Sequence, residues 1–328
     1  GSLCAEGRAG RSTGRRTGLL LNKERTIPMI QDILPRHLDN QFRWLTPQKS
    51  DIILLFEGSS VLAKWQDEKI YYPDYEEFCT QTDAAKYTFI YVLSVDEIQY
   101  FLAMRKGEVL EGSFQGELSD AKVHEEYQSE LDGYDFLGVN IFRSAVPKYR
   151  AFAAITAYHL YGWYRDNRFC GRCGKPMVHD KKERMVRCMC CNNMVFPKIC
   201  PAVIIGVTDG DRILLTKYAG RTYKNYALVA GFTEIGETLE QTVEREVMEE
   251  VGLHVKNIRY YKSQPWALSG SLLAGFFCEL DGDDTISLQE DELSVGKWAH
   301  ADDLELEDDG ISLTREMILK FKEEHAKR

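Results

Sequence analysis

The sequence predicts an α/β protein: helices packed on a mixed sheet in a C-terminal sandwich, preceded by a cysteine ribbon and an N-terminal mixed α/β domain. Three observations predict it. A glycine turn at Gly231 opens onto an amphipathic, carboxylate-rich helix that stops at Gly252. Two apolar runs, VIIGV (203–207) and ILLT (213–216), flank an Asp209-Gly210-Asp211 turn as the arms of a β-hairpin do. Two C-x2-C knuckles, Cys170/Cys173 and Cys188/Cys191, stand fourteen residues apart just upstream.

At 328 residues the chain has room for more than one domain. The expected divisions are a leader at 1–28, an N-terminal domain at 29–147, a linker helix at 148–167, the ribbon at 168–197 and the sandwich at 198–328. The leader is basic and rich in Gly, Arg, Ser and Thr. Gly1-Ser2 resembles the remnant of a cleaved tag, and Met29 reads as the natural start. A net charge of −10 argues against a broad nucleic-acid or anionic-membrane surface. The acid is concentrated, with thirteen acidic residues and one lysine between Glu279 and Asp309. No apolar run is long enough to span a membrane.

In chain order, 51–56, 61–65, 69–72 and 87–93 read as strands, while 95–103 suits a short helix or a strand equally. Isolated His37 and His124 are read as surface or packing residues. Lys148–Arg165 has helical spacing, with Pro147 just before it and His159 on its apolar face. Nine cysteines without a secretory signal point to a reducing, cytoplasmic setting and to metal rather than disulfides. Cys170, Cys173, Cys188 and Cys191 suit tetrahedral Zn²⁺ with no open position, hence a structural site. Cys190 leaves the register of the second knuckle open; Cys188 and Cys191 are preferred because they keep the two-residue gap. Beyond the hairpin, 226–229, 255–261, 272–280 and 297–300 read as strands and 313–324 as a closing helix.

The helix after Gly231 carries the chemistry. Thr238 and Gln241 are placed as a capping box and Gly252 as a C′ glycine. Leu239, Val243, Val247 and Val251 form its apolar stripe. Glu246 and Glu250 share a face four residues apart, with Glu249 beside them. Like charges at that spacing cost a helix roughly 0.2–0.5 kcal/mol per pair. A divalent cation removes the conflict, and Mg²⁺ commonly takes one or two carboxylates plus substrate phosphates. A solvated acidic face is the bland alternative for an arbitrary run of this composition.

Gly231, Glu237, Arg245-Glu246-Val247, Glu249-Glu250 and Gly252-Leu253 resemble the Nudix box, GX5EX7REUXEEXGU, at every position. The resemblance implies a hydrolase that cleaves a nucleoside diphosphate linked to another moiety. It places Glu246, Glu249 and Glu250 among the ligands of Mg²⁺ or Mn²⁺, with Arg245 and Glu237 bracing loop and helix. The ribbon upstream, with an N-terminal domain before it, is similar to the NADH pyrophosphatases, which also remove NAD caps from RNA. That resemblance covers most of 140–328 and is weak before it. It implies NAD(H) or NAD-capped RNA as substrate, a homodimer and no membrane. The segment Ser263-Gln264-Pro265-Trp266-Ala267-Leu268-Ser269-Gly270-Ser271-Leu272 resembles the family's SQPWPFPxSL element but has Ala-Leu-Ser where Pro-Phe-Pro is usual. By the same resemblance Gln264, Pro265, Trp266, Ser271, Phe196, Phe232, Ala230 and Thr314 meet substrate. The Ala230 backbone and Glu292 add metal ligands. ADP-ribose or a diadenosine polyphosphate as substrate, and a catalytically silent nucleotide- or RNA-binding module, are the competing readings.

Overall fold

A computed structural model describes residues 29–107, 110–111, 131–219, 226–289, 293–304 and 311–325. The leader at 1–28, His124 and Glu292 lie outside the described residues. The first sheet contains β1 (Leu38–Asp39), β2 (Ile52–Glu57), β3 (Ser60–Gln66), β4 (Lys69–Tyr71), β5 (Tyr87–Val95) and β6 (Ile98–Arg105), with helix α1 (Tyr75–Gln81) between β4 and β5. Its order is β1-β5-β6-β2-β3-β4. Of the segment at 95–103, Val95 ends β5, Asp96 and Glu97 make the hairpin turn, and the rest is strand β6. Tyr100–Met104 are all buried, because β6 pairs with β5 on one side and β2 on the other and is covered on both faces. The short strands β7 (Leu110–Glu111) and β8 (Asp135–Gly138) follow; β8 adds to β3.

Helix α2 (Lys148–Asp166) starts after Pro147, where a missing N–H costs no helical bond. The ribbon strands are β9 (Met177–His179), β10 (Val186–Cys188) and β11 (Met194–Val195), in the order β11-β10-β9-β7. The first sheet, α2 and the ribbon share one core: Val92, Leu102, Phe152, Tyr161, Met177 and Cys188 belong to the same apolar cluster. His159 is not enclosed by that core. Its Nε2 lies 2.8 Å from the carbonyl of Lys198, where the chain leaves the ribbon.

The last sheet is mixed, built from β12 (Cys200–Asp209), β13 (Arg212–Tyr218), β14 (Val229–Phe232), β15 (Val255–Trp266), β16 (Ser271–Leu280) and β17 (Leu293–His300). Its order is β15-β16-β12-β13-β17, with β14 pairing on β12 and β12–β16 parallel. Helix α3 (Leu239–Val251) covers one face over Val203, Ile205 and Phe276. Helix α4 (Leu313–His325) covers the other over Ile204, Ile213 and Leu215. Two of the boundaries that differ from the expectation bear on the site. Ala227 makes only an isolated bridge to Thr216, so β14 begins at Val229 once the chain has crossed to β12. β15 runs through Ser263–Trp266, making that segment strand rather than loop. Pro265 is tolerated there because β15 lies at the sheet edge. Met29 is buried under α4 while Ile30 joins the first core, so adjacent residues anchor in different layers.

Candidate active site

The cap of α3 forms as its sequence dictates. Thr238 Oγ1 accepts from the Gln241 N–H at 3.2 Å, and the Gln241 side chain accepts from the Thr238 N–H at 2.9 Å. Gly252 ends the helix at φ 70°, a left-handed conformation that glycine adopts without a Cβ penalty. Val243, Val247 and Val251 face the sheet, and Glu246 and Glu250 border that stripe and are buried beside it.

Arg245 is the hub. Its Nε donates to Glu237 Oε1 at 2.6 Å and its Nη2 to Glu237 Oε2 at 3.0 Å, a bidentate pair. Nη1 reaches Glu246 Oε1 at 2.8 Å and Glu249 Oε2 at 2.9 Å, while Nη2 also donates to the carbonyl of Phe232 at 2.9 Å. The guanidinium holds Glu237 far below the usual carboxylate range, at about 2, and the three carboxylates raise the pKa of Arg245 in turn. Glu237 also accepts from Thr242 Oγ1 and from the Glu234 N–H, each at 3.0 Å. One side chain thus ties the box loop, β14 and α3 together. Thr242 is a brace the sequence reading missed. Its position, five residues after Glu237 and one turn below Glu246, was the available signal.

The glutamates differ in exposure. Glu246 is 8% exposed and Glu250 2%, while Glu249 stands at the rim. A Cβ on Gly231 would lie 1.9 Å from the Glu246 carboxyl carbon. Glycine is therefore required here for close approach: the carboxylate rests on the backbone of β14, between Ala230 and Phe232. Two carboxylates withdrawn from water, with a third at the edge, are oxygen donors of the kind Mg²⁺ or Mn²⁺ takes, so their chemistry suits such an ion, while their oxygens are not gathered within 4.8 Å of one another as the thiols are.

The cysteines are more tightly gathered. The Sγ atoms of Cys170, Cys173, Cys188 and Cys191 all lie within 4.8 Å of one another, and among the described residues they form the one such cluster of metal-ligating side chains. Closest approaches are 3.6 Å for Cys170–Cys191 and 3.5 Å for Cys173–Cys188. Tetrahedral zinc with Zn–S of ~2.3 Å needs S–S separations of about 3.8 Å. Exposed Cys190 stays outside. Burial opposes ionisation of Cys170, but N–H groups of Arg172 and Cys173 and the neighbouring thiols bring its pKa down to about 6, whereas Cys173, despite the Lys175 N–H, is pushed up to about 12 by the Cys188 thiol and burial, so without a cation the four do not ionise together.

The remaining predicted residues fall into two groups. Phe196 and Phe232 are half-exposed, and Phe232 is the cross-strand partner of Ala202 on β12. Exposed Pro265 and Leu272 pair across β15–β16, and Leu272 is in register with Pro201. Trp266 pairs with Ser271, which is buried with its hydroxyl 2.8 Å from that of Ser269. The Arg143 guanidinium lies 5.1 Å from the Trp266 ring centroid, so the first domain reaches this corner. Gln264, expected at the substrate, is wholly enclosed. Its amide donates to Gln31 Oε1 at 3.0 Å and to the Ile311 carbonyl at 2.6 Å, and accepts from the Leu313 N–H at 2.8 Å. It fixes the start of α4, one residue before half-buried Thr314. Gln31 and Arg143 carried no motif that could have marked them.

Residues 198–321 match the NUDIX domain, and residues 165–196 match the NADH pyrophosphatase zinc ribbon domain. The chain is 42% identical over 164 residues to the NAD-capped RNA hydrolase NudC of Actinobacillus succinogenes, covering 48% of this chain and 62% of that protein. It is 43% identical over 144 residues to the NudC of Salmonella paratyphi C, covering 44% of this chain and 56% of that one. The match thus spans about three fifths of the length of these relatives. A NUDIX hydrolase from Nitrosomonas europaea of known structure is similar at 23% identity and TM-score 0.41, over 48% of this chain and 91% of that chain. The stretch 198–321 is thus similar to a NUDIX domain, and 165–196 to the zinc ribbon that precedes that domain in NADH pyrophosphatases.

Proposed function

We propose that the chain is a metal-dependent diphosphatase that hydrolyses NAD(H) to nicotinamide mononucleotide and AMP, and removes NAD caps from RNA. The observation that carries this reading is the Arg245 hub, which sets Glu246 against Gly231 with Glu249 and Glu250 beside it, directly downstream of the ribbon. The identities of about 42% to NudC proteins support the substrate class.

Glu246, Glu249 and Glu250, with Glu292 and the Ala230 backbone, would hold Mg²⁺ or Mn²⁺. Such an ion, when bound, lowers the pKa of a water and neutralises charge on the diphosphate. Glu250 or Glu249 takes the proton of the attacking water, and Glu246 serves mainly as a ligand. Arg245 and Glu237 keep these carboxylates at their stations. One water is consumed as the bridging P–O bond breaks, and each product leaves with one phosphate. Phe196, Phe232 and Trp266 offer aromatic faces to adenine or nicotinamide, with Pro265, Ser271 and Thr314 around them. Gln264 acts from behind, by fixing the strand and α4. Zn²⁺ on the four cysteines is structural. The protein works as a cytoplasmic homodimer, a state that a solution mass measurement tests.

Ala267 and Leu268, where the family has Pro-Phe, pack against the first core. The departure is therefore absorbed in domain packing, which supports retention of NAD(H) over ADP-ribose or a diadenosine polyphosphate. Product analysis with NADH, NAD⁺ and ADP-ribose, with Mn²⁺ and with chelator, tests the proposal. Nicotinamide mononucleotide plus AMP, fastest from NADH or NAD⁺ and abolished by chelator, is expected. Faster ADP-ribose turnover would overturn the substrate, and metal-independent binding without turnover would favour the silent module.

A further inference from the structure

Charge is distributed against the average of the chain. Residues 165–196 hold eight Lys and Arg against three Asp and Glu, a net of +5 in a protein whose total is −10. A four-thiolate zinc centre carries two negative charges, so the loaded ribbon remains at about +3. Arg172, Lys175, Lys181 and Lys182 are all exposed.

The same short element exposes its apolar side chains. Phe169, Met189, Met194 and Phe196 are 47% to 66% exposed. Phe169 and Phe196 flank the two knuckles at their outer ends, and Arg168 lies over the Phe169 ring. Met194 pairs with Arg187 across β10–β11, and exposed Phe196 follows just past the end of β11. In sequence these aromatics stand apart; the fold sets them on one compact basic element. Basic side chains interleaved with exposed aromatic rings suit single-stranded nucleic acid, whose phosphates take the charge and whose bases stack on the rings. A second copy of this surface would bring like charges together.

The ribbon also leads into the active site. From β11 the chain passes Phe196 and Pro197 to β12, where Cys200 is in register with Ser271 and its N–H donates to the Gly270 carbonyl at 2.9 Å. A polymer whose 5′ end lies beside α3 and β14 would leave along this path.

We infer that the zinc ribbon is a docking surface for single-stranded RNA, holding the body of a substrate whose capped end sits at α3. This rests on the proposed function for the direction of the strand, but its test does not require turnover. An uncapped 5′-monophosphate RNA of about 10 nucleotides, a length within the range of single-strand binding sites, is titrated against the zinc-loaded full chain by fluorescence anisotropy over a salt series. Binding weakens with salt. The pair Arg172→Glu and Lys175→Glu weakens it at least ~10-fold near 0.1 M salt and flattens the salt dependence by about two phosphate contacts. Phe169→Ala weakens it at least ~5-fold. Zinc content and NADH turnover stay unchanged. The pair Lys181→Glu and Lys182→Glu, away from the knuckles, gives the same loss of affinity if the first pair fails to load zinc.

Absence of binding at low salt, or equal affinity in wild type and zinc-loaded variants, overturns the inference. So does a change of oligomer mass in the variants with RNA affinity intact, since the surface would then be a protein interface. NADH turnover without RNA binding refutes the ribbon inference alone. Salt-dependent RNA binding that these substitutions weaken, with no NADH turnover, supports the ribbon and refutes the proposed activity.

Discussion

Among the described residues, two sets of side chains offer donors to a cation, and they are built in opposite ways. The four thiols of the ribbon are already clustered, with Cys170 and Cys188 inside the core that joins the ribbon to the first sheet and α2. Of the α3 carboxylates, Glu246 and Glu249 meet the Arg245 guanidinium, while Glu250 is buried one turn on from Glu246. A closed set of soft donors fixes structure; an open set of hard donors with a free edge leaves room for phosphate and water. The difference teaches what each region is asked to withstand. The ribbon ties its surroundings together, whereas α3 holds carboxylates that an arginine steadies at an open edge.

The sharpest way to break that comparison is Glu250→Gln. Neutralising a buried carboxylate should cut turnover of NADH by about 10²–10⁴-fold if it serves as the base. Retained activity would show that Glu250 is an ordinary structural partner. Gly231→Ala comes next. Its Cβ would occupy the space of the Glu246 carboxylate, and a displacement of about 1 Å costs up to ~10²-fold in rate. Steady-state kinetics against Mn²⁺ concentration should show a higher metal requirement.

Cys188→Ser should invert the pattern: a large loss of stability and a smaller direct effect on chemistry. A loss of 3 kcal/mol lowers the midpoint by roughly 6–12 °C in a chain of this size class. Calorimetry with zinc analysis checks it, and a normal midpoint with zinc absent would remove the structural role assigned to the ribbon.

Legibility in the sequence follows the same division. The α3 turn could be read because its demands are local: Thr238, Gln241 and Gly252 act within one helix, and each takes its expected cap position. The knuckles were legible because tetrahedral thiolate sites need fixed spacing. What was not legible depends on distant partners. Strand β6 looks like either element until both neighbours are known, and Gln264 looks like a binding residue until Gln31 and Leu313 are seen around it. Proline at 265 hides a strand that only an edge position permits.

The smallest expected effects are in pH, where the two regions separate by window. His179 is buried among Phe42, Trp44 and Tyr164, with Nε2 2.8 Å from the Tyr164 hydroxyl. Burial pushes its pKa down to about 4 from an ordinary value of 6.5. Between those values the unfolded chain binds the proton more readily than the folded one. Stability from this residue is thus complete above pH 6.5, declines as pH falls, and is spent near 4. Glu237 is held at about 2 by Arg245 against an ordinary 4.5, so its contribution is intact above 4.5 and declines only toward pH 2. Melting temperature against pH resolves the two. His179→Gln, which keeps an acceptor for Tyr164, should flatten the curve between pH 6.5 and 4 and leave the lower limb in place. Glu237→Gln should do the reverse. If His179→Gln changes nothing in the upper window, acid sensitivity there comes from groups outside the ribbon. The ribbon would then be indifferent to acid down to the pH at which its thiolates are protonated and zinc is released.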